Sequence, residues 1–168
     1  MTSADAPKDI RHRVEFDIMI ETMRVYLDNC CYNRPFDEQT QLRVLLETEA
    51  KLRVQAMMRN GEVEYVWSDI LSQEVFDNPF PHRREKILEW RHGAVCTVEM
   101  TTDVIADADE LAEKGLKAAD ALHVASAAAV DCDCFITTDI RLLRCIRQFK
   151  VTRILNPMEF LLEVEDGI

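Results

Sequence analysis

Short apolar runs alternate along the chain with longer stretches of helical pattern. The apolar runs predict five strands, at 23–28, 62–68, 94–100, 134–138 and 152–155. The intervening stretches predict helices at about 38–59, 69–77, 82–91, 102–114, 118–130 and 140–148, and a last one after Asn156-Pro157. Alternation of this kind is typical of a parallel sheet with right-handed crossovers and helices on both faces. The pattern therefore predicts an α/β fold with a central sheet of about five strands.

The length of 168 residues is most simply explained by one domain. In the first 22 residues, Val14, Phe16, Ile18 and Ile20 alternate with polar positions, a pattern typical of a strand. This stretch is either an extra edge strand or an addition upstream of a core domain. We therefore divide the chain into an N-terminal extension at 1–22 and a domain at 23–168.

Composition narrows the class of protein. The net charge of −11 argues against a nucleic-acid coat protein, but a nuclease whose acids surround a metal ion stays possible. No run approaches the ~18 apolar residues of a membrane span, and the N-terminus lacks signal-peptide order, so we expect a cytoplasmic protein. The six cysteines lack a C-x-x-C spacing, which favours buried reduced thiols over a zinc site.

Four acidic side chains fall where ligands bind in an open parallel sheet, beyond the carboxyl ends of its strands. Asp28 ends the first strand, and Asp139 directly follows the fourth. Asp120 lies in the first turn of the helix that enters the fourth strand, and Glu74 lies on the helix after the second. If the first and fourth strands are neighbours, these carboxylates share one crevice.

Carboxylates gathered in a cleft repel one another unless a cation joins them, and Mg²⁺ prefers such oxygen ligands. A divalent ion held there can activate water and stabilise the charge that develops at phosphorus, so the pattern indicates phosphodiester hydrolysis. Taken singly, Asp120 could simply favour the helix dipole and Asp139 could be an ordinary N-cap. Their convergence with Asp28 favours the metal site, while Asp69 and Asp77 compete with Glu74 for its position.

Five segments carry a resemblance to a known family: "VYLDNCCYNRPFD", "SDILSQEVFDNP", "KAADALHVASA", "DCFITTD" and "ILNPMEFL". Together they resemble the PIN-domain ribonucleases, many of which are toxins of bacterial toxin–antitoxin pairs. The resemblance covers 23–162. It implies a PIN-like three-layer sandwich with the first and fourth strands side by side, and a Mg²⁺- or Mn²⁺-dependent endonuclease acting mainly on RNA. It also implies a homodimer and an antitoxin partner.

The resemblance assigns roles to individual residues. The acidic positions of the family match Asp28, Glu74, Asp120 and Asp139 as catalytic residues and metal ligands, and the supporting polar positions match Asn29 and Thr138. His123 shares a helix face with Asp120 three residues earlier, so we expect it to orient a neighbour rather than bind the metal.

Basic residues near these acids are candidate RNA contacts. Arg141, Arg144 and Arg147 recur every third residue after Asp139 and could bind phosphates, or they could form a solvated helix face. Arg34, like Tyr32, is placed in a loop after Asp28, where it could touch RNA or simply close the loop. A second basic segment, at 82–93, offers further candidates.

Other interpretations stay open. A non-catalytic PIN-like module that binds RNA or protein is the alternative to the nuclease. Phosphotransfer folds fit poorly, because Cys30 stands where a second aspartate is needed and Asn156 stands where a lysine is needed. On the long helix, Glu49 and Arg53 could form an ion pair at the edge of the core or mark an oligomer surface.

Overall fold

The computed structural model describes residues 22–146 and 152–165, so almost all of the extension predicted at 1–22 lies outside the described residues. Its five strands are all parallel, in the order β3-β2-β1-β4-β5. They are β1 (Arg24–Leu27), β2 (Glu64–Ser68), β3 (Thr97–Val98), β4 (Cys134–Ile136) and β5 (Arg153–Leu155). Each strand falls within a predicted one, and β1 and β4 are neighbours at the centre.

Eight α-helices connect and follow the strands in the described part of the chain. They are α1 (Asn29–Asn33), α2 (Leu42–Asn60), α3 (Asp69–Phe76), α4 (Pro81–Leu88), α5 (Thr102–Glu113), α6 (Ala118–Ala129), α7 (Ile140–Ile146) and α8 (Pro157–Glu165). Short 3₁₀ turns follow α1 at Arg34–Phe36 and α4 at Glu89–Gly93. The prediction of a loop after Asp28 is therefore wrong, because α1 and a 3₁₀ turn form there.

The three central strands, β2, β1 and β4, bury both of their faces. Side chains alternate across a strand, so Val25 and Leu27 of β1 pack into one apolar core while Tyr26 packs into the other. The first core includes residues of α1, α2, α3, α4 and α8, and the second includes residues of α5, α6 and α7. This arrangement confirms the predicted α/β class, with a parallel five-stranded sheet and helices on both faces.

The long helix α2 buries polar residues beside Val54 and Met58 and exposes leucines to solvent. Glu47, Lys51 and Gln55 are buried, whereas Leu42 is 70% exposed and Leu46 is 45% exposed. The face of α2 that carries these leucines therefore does not pack into the core. A leucine pattern shows which residues share a helix face. Whether that face is buried depends on whether neighbouring helices or strands pack against it.

Ion pairs explain part of this orientation. The buried Glu47 accepts a hydrogen bond of 2.6 Å from Nε of Arg43 and lies 3.0 Å from Nη2 of Arg34. Of the two alternatives for Glu49 and Arg53, the ion pair is not formed among the described residues, and Arg53 lies 2.7 Å from Glu165 on α8. The surface alternative for this stretch of α2 stays open.

All six cysteines are free thiols, and Cys31, Cys132 and Cys134 are buried. Burial raises the pKa of Cys132 to about 12 and that of Cys134 to about 11, so both are neutral near pH 7. In the ranges that the structure describes, no helix is both long enough and apolar enough to cross a bilayer.

Candidate metal centre

Asp28 lies where β1 ends, and the pairing of β1 with β4 decides its surroundings. Its backbone N–H donates to the carbonyl of Ile136 at 2.9 Å, which extends the β1–β4 ladder by one residue. Thr137 then lies beside the carboxylate, and its hydroxyl donates to Oδ2 of Asp28 at 2.7 Å. The thiol of Cys30 donates to the same oxygen at 3.1 Å. Two donors from different segments therefore fix this carboxylate.

The carboxylate of Asp28 is buried, since the residue is only 7% exposed. None of the ion pairs formed among the described residues includes it. A buried charge that forms no ion pair is costly, and two hydrogen bonds from neutral donors offset only part of that cost. The position is therefore one where a bound cation would stabilise the protein.

Glu74 and His123 form the second element of the site. Nε2 of His123, on α6, lies 2.9 Å from Oε2 of Glu74, on α3. On its other side, Nδ1 of His123 lies 2.7 Å from the hydroxyl of Tyr26, which in turn lies 2.6 Å from Oγ of Ser68. Both ring nitrogens of the buried imidazole are thus engaged, which fixes its orientation.

The pKa values of this pair shift in opposite directions. Burial alone would lower the pKa of His123, but its hydrogen bond to Glu74 and the nearby carboxylates outweigh burial, and the pKa is raised. Burial alone would raise the pKa of Glu74, but the hydrogen bond to His123, the charge of His123 and the nearby Asn29 amide together outweigh burial, and the pKa is lowered. Both shifts favour a protonated imidazole beside an ionised carboxylate when no metal is bound.

Asp28, Glu74 and His123 come together as one group whose candidate ligand atoms all lie within 4.8 Å of one another. Carboxylate oxygens suit Mg²⁺ and Mn²⁺, and an imidazole also suits softer divalent ions. The donor set therefore fits a divalent cation. The sequence did not predict His123 as a member of such a group, because an expected magnesium ion favours oxygen ligands.

Asp120 and Asp139 lie to one side of this group and share a different partner. Nη2 of Arg141 lies 2.8 Å from Oδ2 of Asp120 and 3.7 Å from Oδ2 of Asp139. Burial and the charge of Asp28 raise the pKa of Asp120, and Arg141 counteracts part of that rise. Asp139 also caps α7, since its Oδ1 accepts from the backbone N–H of Arg141 at 2.8 Å and of Leu142 at 3.2 Å.

The predicted supporting residues occupy different surroundings. The amide of Asn29 accepts from Asn33 at 3.0 Å and helps to lower the pKa of Glu74. The hydroxyl of Thr138 is buried and has no hydrogen-bond partner in the described part of the chain. The hydroxyl that reaches Asp28 belongs instead to Thr137, which sequence reasoning missed. Two adjacent threonines cannot be distinguished from sequence alone. Only the path of the chain after β4 decides which hydroxyl reaches Asp28.

Asp69 and Asp77, the two acids that compete with Glu74 for its position, lie outside the candidate metal centre. Asp69 accepts from the backbone N–H of Met100 at 3.1 Å and so ties α3 to the segment after β3. Asp77 is exposed at the end of α3. Neither belongs to the group of ligand atoms around Asp28.

The predicted RNA contacts divide into engaged and free side chains. Arg34 lies 3.0 Å from Asp37 and 3.0 Å from Glu47, so its charge is already paired. Arg141 lies at the acids, and Arg144 is exposed on α7. Arg147 lies outside the described residues.

Two other candidates are held within the protein. Tyr32 is almost fully buried and packs into the apolar core, so it is not available to a base. In the second basic segment, Arg83 donates to the carbonyl of Phe36 at 3.0 Å and Arg84 to that of Asn78 at 2.9 Å. These two arginines therefore tie α4 to neighbouring loops.

Solved structures share this fold at low sequence identity. FitAcB from Neisseria gonorrhoeae aligns with a TM-score of 0.50 and 16% identity, over 80% of this chain and 98% of that one. FitAB bound to an IR36 DNA fragment aligns with a TM-score of 0.51 and 19% identity, over 79% and 94% of the two chains. VapBC2 from Rickettsia felis, bound to a DNA fragment from its promoter, aligns with a TM-score of 0.48 and 14% identity, over 80% of this chain and 98% of that one.

The fold is PIN-like. This confirms the fold class predicted from sequence, a three-layer sandwich around a parallel sheet of about five strands. No family model matches the sequence, and no curated protein matches it either. At 16–19% identity the likeness extends to the fold alone.

Proposed function

We propose that this chain is a metal-dependent endoribonuclease of the PIN type, which hydrolyses RNA phosphodiester bonds, and that it is the toxin of a toxin–antitoxin pair. One observation carries the proposal. A buried carboxylate that forms no ion pair among the described residues, Asp28, meets Glu74 and His123 within 4.8 Å at the carboxyl ends of the strands. This is where ligands bind in folds of this class.

Mg²⁺ or Mn²⁺, bound by Asp28 and Glu74 with Asp120 and Asp139 beside them, would activate a water molecule and neutralise charge on the phosphate. The roles of the chain's own residues follow from their contacts. Thr137 and Cys30 hold Asp28 in one orientation, and His123 does the same for Glu74. Because these contacts exist without a substrate, the carboxylates are arranged in advance.

The arginines after the site supply the positive charge that RNA requires in a chain of net charge −11. Arg141 contacts two of the four proposed ligands, so it lies close enough to transfer to a phosphate when a metal ion takes those carboxylates. Arg144 is exposed on the same helix, and Arg147 lies three residues beyond it in sequence. Arg34 contributes less, because Glu47 and Asp37 already pair with it.

The proposal is tested by cleavage of a fluorophore–quencher RNA by purified protein, with and without Mn²⁺ or Mg²⁺. We expect metal-dependent cleavage, and we expect Asp28→Asn to lower the rate at least 100-fold while the circular dichroism spectrum stays unchanged. The matched control is Asp107→Asn on the exposed face of α5, which removes one carboxylate far from the site and should cleave normally. Equal cleavage by wild type and Asp28→Asn would refute the proposal.

The proposal includes protein partners: a homodimer and an antitoxin. Its support is the exposed leucine face of α2, where Leu42, Leu45, Leu46 and Leu52 are 40–70% exposed on a helix whose other side packs into the protein. We expect light scattering to give a dimer, and Leu45→Glu to convert it to a monomer of unchanged fold.

A small protein encoded beside this gene should co-purify and inhibit cleavage, and an isolated gene without such a neighbour would count against the antitoxin.

A non-catalytic RNA-binding module is the second candidate. The observation that favours it is the pairing of Arg141 with Asp120 and Asp139, which supplies a cation from within the chain. This candidate predicts that the protein retains RNA in a filter-binding assay and releases no product with any divalent metal. Turnover of RNA that disappears in Asp28→Asn excludes it.

A further inference from the structure

A second polar site lies on the other side of α1 from the acids, between α2 and the α4 segment. It is a cavity of about 230 Å³, whose polar and charged lining comes from Tyr32, Lys51, Gln55, Arg59, Lys86 and Glu89, with Phe36 and Trp90 beside them. Ligand pockets for whole cofactors usually measure about 300–1,000 Å³, so this cavity is sized for a smaller molecule or a single chemical group.

Lys51 is the decisive residue of this cavity. It is only 3% exposed, and its Nζ lies 5.9 Å from the centre of the Tyr32 ring. Among the described residues it forms no ion pair, because the nearest acid on its own helix face, Glu47, is paired with Arg34 and Arg43. A buried ammonium group without a counter-charge is rare in proteins unless it serves a purpose.

Its neighbours in the cavity wall have unmet polar groups too. The hydroxyl of Tyr32 and Nε2 of Gln55 are both buried and have no hydrogen-bond partner in the described ranges. Most buried polar groups in native proteins are hydrogen-bonded, so two such groups beside an unpaired lysine form an unusual concentration. All three can donate, and none of them is satisfied by the protein.

The remaining charge in the cavity is also positive. Arg59 stacks on Trp90, with its guanidinium carbon 4.5 Å from the ring centre, which leaves its N–H groups free for a ligand. Lys86 is paired with Glu89 at 3.1 Å, so those two charges cancel. Lys51 and Arg59 therefore give the cavity a net charge of +2.

We propose that this cavity binds a small oxyanion, a phosphate or a carboxylate, held by Lys51 and Arg59 with Gln55 and Tyr32 as neutral donors. Donors without acceptors and two uncompensated cations are satisfied together by one ligand that has several acceptor oxygens and negative charge. The burial of Lys51 lowers its pKa to about 8, so the group is protonated at pH 7 and can serve as this counter-charge. This site is independent of the nuclease proposal.

The test is a thermal-shift titration at pH 7 with inorganic phosphate, acetate and adenosine monophosphate, each compared with NaCl at equal ionic strength. For a millimolar dissociation constant, 10 mM of the preferred probe should raise the melting temperature by about 3 °C. The quenching of Trp90 fluorescence gives a second readout. A response to phosphate and not to acetate identifies a phosphate site, and the reverse identifies a carboxylate site, while an advantage for the nucleotide indicates that the ring contributes.

Lys51→Met keeps the length of the side chain and removes the charge, so it should weaken binding of the preferred probe at least tenfold. Arg59→Gln, at an exposed position, should weaken it severalfold and keeps the proposal testable if the first variant does not fold. Lys114→Met, on the exposed end of α5, removes one positive charge elsewhere and should bind normally. No response beyond NaCl with any probe, or equal responses in wild type and Lys51→Met, would overturn the proposal.

Discussion

Replacement of Lys51 by methionine should stabilise the protein. Burial lowers the pKa of Lys51 from 10.5 to about 8, and one pKa unit corresponds to about 1.4 kcal/mol. The shift of about 2.5 units therefore means that the buried ammonium group costs about 3 kcal/mol at pH 7. Methionine has nearly the same length and no charge to desolvate, so most of that cost should be recovered.

The pH dependence of this gain has a definite sign. Between pH 8 and 10.5 the unfolded chain still binds the proton and the folded chain has lost it, so the stability of the wild type rises with pH. The gain from Lys51→Met should be complete below pH 8 and should disappear towards pH 10.5. Of the groups that face Lys51, the buried Cys31 and Tyr32 have pKa values well above their usual ones and stay neutral, and Arg59, Lys86 and Glu89 line the same cavity.

Urea denaturation at pH 7 and pH 10 measures both expectations. With a slope of about 2 kcal/mol per molar urea, the midpoint of Lys51→Met should lie ~1.5 M above that of the wild type at pH 7 and much closer to it at pH 10. Lys114→Met, at an exposed position, controls for the loss of one positive charge and should change the midpoint little. A midpoint difference for Lys51→Met that is the same at both pH values would refute the buried-charge explanation.

Two further predictions concern the metal centre. Thr137→Val removes the hydroxyl that donates to Asp28, so it should lower the free energy of unfolding in urea by about 1.5–3 kcal/mol. The same variant should weaken Mn²⁺ binding in calorimetry. Thr138→Val, whose hydroxyl has no partner among the described residues, should leave both quantities unchanged. Arg141→Met removes the guanidinium group that competes with the metal ion for Asp120 and Asp139. Since a half-exposed ion pair is worth about 0–1 kcal/mol, the variant should tighten Mn²⁺ binding by up to about fivefold. Arg144→Met is the control. Equal effects of either variant and its control would contradict these assignments.

The fold was predictable because the strands are apolar on both faces. In a parallel sheet covered by helices, each strand reads as an apolar run, and Asp28 at the end of β1 marks the limit of such a run. The short helix α1 was missed, since its five residues, Asn-Cys-Cys-Tyr-Asn, show no helical period. The side of α2 that packs was also not predictable, because the burial of Glu47 depends on Arg34, from the turn after α1.

The candidate site was predictable as a set of segments and not as a set of contacts. The rule that strand ends carry ligands places Asp28, Glu74 and Asp139 at one edge of the sheet. It does not reveal that His123 reaches Glu74 or that Arg141 takes Asp120, because those contacts depend on rotamers and on the rotation of α6 and α7. Side-chain hydrogen bonds across distant segments are decided by packing.

The central pairing of β1 with β4 has a consequence for synthesis of the protein on the ribosome. Asp28 depends on Thr137, which is 109 residues later in the chain. Until β4 emerges from the ribosome, β1 lacks one of its two neighbours, and the carboxylate of Asp28 lacks the hydroxyl that orients it. A nascent chain therefore carries no assembled centre until β4 and Thr137 have been synthesised and have folded against β1.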